Sequence, residues 1–489
     1  MVGKSLNILF VSAEVSPFAK VGGLADVAGS LPKELVKLGH RVTVAMPAYR
    51  MVLDEARWNF TPILTDLAVS VGPDWNVSAT IYSATFDGVQ YLLIGGEDYF
   101  ENAKESEGIY SQGIDSYLFF SQAVLTAAEA LKLNPDVLHC NDWHTGFIPV
   151  LMREKKAHKW VSTASVFTIH NLAYQGEFGP EVLDRLGLPQ RLFNAEQVEA
   201  WGRLNFLKAG CVFSDQVNTV SPAYAVEIQA PRYGCGLDGL MLHLARENRL
   251  SGILNGIDQG VFDPAIDPAI PARFDSHDLS GKITCKARLQ SELDFPVRPG
   301  IPLLAMVTRL SAQKGLDLVS EIIPQLVSLP AQLVVQGLGD PSIAEELRRL
   351  ATRYPDSVKM IEEFNPTLAQ RIYAGSDMFL MPSAFEPCGL GQMIAMRYGT
   401  VPIVRMTGGL GDTVNEGREG FVFMEFTATD LWSAIERAHL EYGNLADWGH
   451  FINACMAADH SWNVSARDYE SLYRDGLGAR RTGFDAAAC

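Results

Sequence analysis

Pro382–Leu410 reads PSAFEPCGLGQMIAMRYGTVPIVRMTGGL. The apolar run that leads into it, Asp377 to Met381, has the character of a buried strand, and the turn holding Pro387 and Gly389 opens a helical run from Leu390 to Tyr398. A helix N-terminus presents unpaired N–H groups and partial positive charge, so Cys388, Gly389 and Leu390 can offer donors to an anion, with Glu386 beside that pole. After Gly399 a second apolar strand, VPIVRM, ends in Thr407-Gly408-Gly409-Leu410, a small-residue turn where backbone N–H groups can again converge on oxygens. Two such turns on successive strand–helix units suggest a phosphorylated ligand. One turn alone reads equally well as punctuation between strand and helix, so a second signal is required.

That signal lies upstream, in Thr308-Arg309-Leu310-Ser311-Ala312-Gln313-Lys314-Gly315, which puts two cations between a strand and a helix. By itself this octapeptide suits a solvated surface loop; beside the Pro382–Leu410 stretch it suits a diphosphate. Pro302–Val307 and Gln332–Gln336 read as strands, Leu316–Leu329 and Ala344–Tyr354 as helices, which together predict a Rossmann-like domain. Before it, Asn255-Gly256-Ile257-Asp258 is followed by dense Pro and Asp through Pro271, the mark of a domain boundary.

The N-terminal half repeats the alternation. Leu6–Ser12 predicts a buried strand, Lys20-Val21-Gly22-Gly23 a turn, Leu24 to Leu38 a helix stopped by Gly39, and Arg41–Met46 the next strand. This first strand–helix turn carries no GxGxxG and Ala45-Met46-Pro47 lacks the acid that grips a ribose, so a nicotinamide-dinucleotide reading is weak. Asn59 to Tyr99 predicts strands or hairpins, Tyr117–Leu131 a helix, and Asp136–Cys140 and Val161–Ile169 strands. The last two end in His139-Cys-Asn-Asp-Trp-His144 and His170-Asn-Leu-Ala-Tyr-Gln175, which makes Asp142, Trp143 and His170 site candidates. His139, Cys140 and His144 offer no tetrahedral ligand set and read as strand-end hydrogen bonding, so no metal is placed there.

At 489 residues the chain predicts two domains, and its formal charge of −17 argues against a nucleic-acid partner. Seven cysteines without CxxC pairs or framework spacing predict reduced thiols and a cytoplasmic location. No apolar run approaches the roughly 18 residues of a membrane span, and the start reads as a strand, so no membrane partner is expected.

The motifs KVGGLADV from Lys20, NDWH from Asn141, FTIHNLAYQG from Phe167, LNGID from Leu254, RLSAQKG from Arg309, FEPCGL from Phe385 and TGGLGDTV from Thr407 occur in that order. With them the chain resembles, almost end to end, the bacterial glycogen synthase and plant starch synthase family. The resemblance implies an α/β GT-B fold, two Rossmann-like domains facing a central cleft. Residues 1–258 would form the acceptor side, 259–460 the nucleotide-sugar side, and 461–489 a segment crossing back. It implies transfer of glucose from ADP-glucose to the non-reducing end of an α-1,4-glucan, glycogen or a maltooligosaccharide, with retention of configuration. Arg309 and Lys314 would hold the diphosphate and stabilise charge on the leaving group. Glu386 would lie near the glucosyl group, with Cys388, Gly389 and Leu390 positioning the sugar. His170 and Asn255 would be placed against the transferred glucose. Lys20, Gly22 and Gly23 would face the phosphates and donor sugar, and Asp26, Asp142 and Trp143 the acceptor. Thr407, Gly408 and Gly409 would meet the distal phosphate. Phe364 would stack on the base, although a core phenylalanine is nearly as good a reading.

Ala384 stands where many members carry Arg, and Ile394 where the wider EX7E pattern has its second Glu. No DxD occurs, and neither a metal nor another cofactor is expected. Three alternatives stay open: a UDP-glucose-using synthase, a glycogen phosphorylase carrying pyridoxal phosphate on a lysine, which chain length disfavours, and a non-catalytic glucan-binding protein with a lapsed site. Oligomeric state is not legible.

Overall fold

Two separate sets of short, continuously apolar strands build two separate sheets, as expected where helices cover both faces of parallel strands. A computed structural model describes residues 4–96, 99–104, 108–155 and 159–487. The chain divides into two compact units: Met1–Val220, Ala225–Ile253 and Trp462–Cys489 form unit 1, and Ser221–Tyr224 with Leu254–Ser461 form unit 2. Asn255 thus falls in unit 2, and the C-terminal helix Trp462–Ala487 in unit 1.

Unit 1 contains β1 (Asn7–Val11), β2 (Arg41–Pro47), β3 (Thr61–Gly72), β4 (Trp75–Phe86), β5 (Val89–Gly96), β6 (Val137–Asn141), β7 (Ala164–Ile169), β8 (Glu177–Phe178), β9 (Glu199–Ala200), β10 (Arg203–Asn205), β11 (Gln216–Thr219) and β12 (Leu250–Gly252). Its main sheet runs β12-β11-β7-β6-β1-β2-β5-β4-β3. The segment from β12 to β5 is parallel, and the Asn59–Tyr99 region adds β3 and β4 as an antiparallel edge. The helix Gly23–Lys37 buries Leu24, Val27, Ala28, Leu31 and Leu35, the residues at helical spacing. Gly39 at φ +94° then turns the chain into β2. The expected strand Val161–Ile169 begins only at Ala164.

Unit 2 contains β13 (Leu303–Val307), β14 (Gln332–Gln336), β15 (Val358–Ile361), β16 (Met378–Met381), β17 (Val401–Arg405) and β18 (Phe421–Phe423), in the order β15-β14-β13-β16-β17-β18 and parallel throughout. This is the doubly wound order, reversing once between β13 and β16. The parallel part of unit 1 reverses likewise, between β1 and β6. Among the described residues no helix is long and apolar enough to cross a membrane.

Candidate active site

In open α/β sheets ligands bind beyond the carboxyl ends of the strands where the order reverses. In unit 1 those ends lead to Glu14, after β1, and Asp142, after β6. Glu14, absent from the sequence-derived candidates, is only 1% exposed. Its Oε2 accepts from the N–H groups of Val21 at 2.5 Å and Gly22 at 3.0 Å, and its Oε1 from Tyr110 Oη at 2.7 Å. Burial raises its carboxyl above the usual range, with these hydrogen bonds acting in the opposite sense. The carboxylate therefore engages the Gly22 N–H, in the loop that the resemblance turns toward the phosphates and donor sugar, and holds that loop at Val21 and Gly22. Gly22 caps the helix that Gly23 begins, and Lys20 Nζ lies 2.5 Å from Asp26 Oδ1 in the first turn.

Asp142 sits at φ +55°, a backbone conformation uncommon outside glycine that clusters at functional sites. Its Oδ1 accepts from the His170 N–H at 2.8 Å. Burial, and then the nearby Glu14, push its carboxyl up to about 7 against hydrogen bonds from the His170 and Asn171 backbones. The His170 ring places Nε2 3.0 Å from Asn141 Oδ1, while the Asn141 amide nitrogen donates to the Val11 carbonyl at 3.0 Å. The Asn141 oxygen must then accept, which puts the imidazole proton on Nε2. Burial pushes the imidazole down to about 3, so His170 is a neutral, oriented ring near pH 7. Trp143 packs edge-on against Tyr117, and a Cβ at Gly176 would fall 2.4 Å from its indole. His139, by contrast, is committed to Tyr473 Oη at 2.9 Å and Thr168 Oγ1 at 2.6 Å.

In unit 2 the reversal is flanked by the loops after β13 and β16, which carry Lys314 and Glu386. Backbone contacts stitch the loops together: Ala384 N–H donates to the Gln313 carbonyl at 2.8 Å, and Gln313 Nε2 to the Phe385 carbonyl at 3.0 Å. A Cβ at Gly315, φ +68°, would meet the Pro382 carbonyl at 2.1 Å, so only glycine permits that approach. The result is an ion pair, Lys314 Nζ to Glu386 Oε2 at 2.6 Å, with Ser383 Oγ donating to the same oxygen at 2.9 Å. Arg309 is exposed beyond β13. Buried Arg405, a lone cation in an otherwise apolar strand, donates from Nη1 to the Ala384 carbonyl at 2.7 Å and so holds this loop from behind.

The FEPCGL turn also gathers Asn255. The Cys388 thiol is hydrogen-bonded to the Asn255 backbone, and burial pushes that thiol up to about 12. Asn255 Oδ1 is buried without a hydrogen-bond partner, an atom that a ligand hydroxyl would satisfy. Gly389 stands at φ +77°, clasped by Gln392, whose Nε2 donates to the Cys388 and Gly389 carbonyls at 3.2 and 3.0 Å. Leu390 caps the short helix Gly391–Arg397. Thr407-Gly408-Gly409 is the start of another short helix, Gly408–Thr413, rather than an open turn. The Gly409 N–H is shared between the Glu386 and Pro387 carbonyls at 3.2 and 3.3 Å, so this residue docks the two turns together and its donor is already engaged. Phe364, 74% exposed ahead of the helix Pro366–Gly375, is not a core residue.

Two family profiles match the chain: the starch synthase catalytic domain over residues 7–243 and glycosyl transferases group 1 over residues 294–450. It is 43% identical to the glycogen synthase of Moorella thermoacetica, across 98% of this chain and 99% of that one. It is 44% identical to the glycogen synthase of Desulforudis audaxviator, across 98% of each. The catalytic domain of starch synthase IV from Arabidopsis thaliana, solved bound to ADP and acarbose, is similar at a TM-score of 0.90 and 32% identity, covering 97% of this chain and 100% of that chain. Sucrose-phosphate synthase from Thermosynechococcus elongatus, at TM-score 0.60 and 17% identity, shares the fold alone.

Proposed function

We propose that this chain, which belongs to the glycogen synthase and starch synthase family of glycosyltransferases, transfers glucose from ADP-glucose to the non-reducing end of an α-1,4-glucan with retention of configuration. It is a glucan synthase with the GT-B architecture of two Rossmann-like units. The donor and the residue roles are our reading.

The observation that carries the reading is the Lys314–Glu386 pair at the point where the strand order of unit 2 reverses. A sugar diphosphate brings two needs to such a site: positive charge for the departing diphosphate and an acceptor for sugar hydroxyls. Lys314, with the exposed Arg309, supplies the first and Glu386 the second. A diphosphate arriving at Lys314 would share its ammonium and leave the Glu386 carboxylate available to the glucosyl hydroxyls. Asn255 Oδ1 offers a further acceptor. In unit 1, neutral His170 and the poorly ionised Asp142 are suited to hydroxyls, the chemistry of a glucan acceptor, rather than to phosphate. The ADP in the starch synthase IV structure supports an adenine diphosphate donor.

Incorporation of labelled glucose into glycogen from ADP-glucose and from UDP-glucose, in wild type and Glu386→Ala, tests the proposal. Turnover with ADP-glucose that the mutant loses is the expected result. Turnover with UDP-glucose alone would replace the donor, and turnover with neither would favour a lapsed, glucan-binding protein.

A further inference from the structure

The hairpin β9–β10 turns on Trp201 and Gly202, with Ala200 paired to Arg203. Both turn residues have positive φ, 55° and 77°. A two-residue hairpin turn of this kind favours Asn-Gly or Asp-Gly, and a bulky residue at its first position is strained. Trp201 returns nothing to the core for that strain, because its side chain is 79% exposed. It is nonetheless held. Its Nε1 donates to the Gly236 carbonyl at 3.1 Å, and Gly236 is itself at φ +80° where a Cβ would lie 2.7 Å from that nitrogen.

The neighbouring carbonyl, that of Cys235, accepts from Gln175 Nε2 at 2.9 Å, and Gln175 Oε1 accepts from Asn205 Nδ2 of β10 at 2.6 Å. Gln175 follows Tyr174, which is 53% exposed, and precedes Gly176, which packs on Trp143. A continuous set of contacts therefore leads from Trp143 and the His170 loop to Trp201 within unit 1.

We propose that Trp201, with Tyr174, forms an outlying subsite for the α-1,4-glucan acceptor, a fixed aromatic platform for glucose units well behind the growing end. This rests on the glucan-synthase reading above. A pyranose ring has an apolar C–H face that an exposed indole covers, and pinning the indole by one hydrogen bond lowers the entropy lost on contact. A long chain held at Trp201 has its end kept near the acceptor-side residues at high effective concentration, whereas a short oligosaccharide gains nothing.

The discriminating variant is Trp201→Asn, because Asn is the residue the turn prefers and the fold should be kept or stabilised. We expect KM for glycogen and long maltooligosaccharides to rise about fivefold or more, with kcat, KM for the donor and KM for maltotriose unchanged. Trp201→Phe, which keeps a ring without the Nε1 hydrogen bond, should retain part of the affinity. Retardation in glycogen-containing native gels reads binding without turnover, so it tests the platform even if no transferase activity is found. Equal retardation and equal glycogen KM in wild type and Trp201→Asn would overturn the proposal. So would a loss accompanied by a change in oligomeric state, which would make Trp201 a subunit contact.

Discussion

Units 1 and 2 use one sheet device, a single reversal of strand order, and furnish it with opposite chemistry. At the reversal in unit 1 the ionisable groups are buried and pushed toward neutrality: Asp142 up to about 7, His170 down to about 3, Glu14 upward. In unit 2 the loops at the reversal present an ion pair, Lys314 with Glu386, and an exposed arginine, Arg309. Neutral groups in fixed orientations recognise hydroxyls through directional hydrogen bonds, and paired or exposed charges recognise and stabilise a departing anion. One fold can thus carry both halves of a group transfer by changing what stands at the strand ends.

The contrast is broken most directly in unit 2. Lys314→Ala should lower kcat about 10²–10³-fold. Because it strands a Glu386 carboxylate whose side chain is 9% exposed, it should also cost about 1–3 kcal/mol of stability in denaturant titration. Arg309→Ala should lower kcat comparably but leave stability within about 0.5 kcal/mol, since an exposed cation leaves nothing buried behind. Equal stability losses in the two variants would remove the distinction between a buried pair and an exposed charge.

Gly408→Ala tests how the turns of unit 2 are joined. At φ +44°, with a Cβ 2.0 Å from the Glu386 carbonyl, the methyl must displace the FEPC backbone, and a cost of about 2–4 kcal/mol is expected by thermal or chemical unfolding. A neutral result would mean that Gly408 does not set the position of Glu386.

The pH-dependent test belongs to unit 1. Asp142 has its carboxyl raised in the folded state, so between its unfolded value and about pH 7 the native protein binds the extra proton, and stability falls as pH rises. Asp142→Asn keeps the acceptor for the His170 N–H and removes the ionisation. The stability of Asp142→Asn relative to wild type should therefore increase from about pH 4 to pH 7 and level off above it. A flat difference would show that Asp142 ionises normally, and the contrast between the units would weaken.

Much of this was legible in the residues. Continuous apolar strands, Gly39 and the helical spacing from Leu24 to Leu35 specify their elements locally, because burial and backbone sterics act within a few residues. The motifs around Lys314 and Glu386 were visible because each combines charge with turn chemistry. Glu14 was missed for a physical reason: an acid two residues after Ser12 looks like any strand end until the sheet order sets it at the reversal and folds Val21, Gly22 and Tyr110 onto it. Arg405 carried a readable signal, a cation in VPIVRM, but its partners at Ser383 and Ala384 are brought to it only by the pairing of β16 with β17.

The sequence by itself determined the two α/β halves, the loops that carry the candidate residues and the family, since these depend on periodicity, turn residues and motif order. Tertiary structure alone decided which donors remain available and which charges persist. It engaged the N–H groups of Gly22 and Gly409, left Asn255 Oδ1 without a partner, and neutralised His170 by burial, because hydrogen-bond partners and desolvation come from residues distant in the chain.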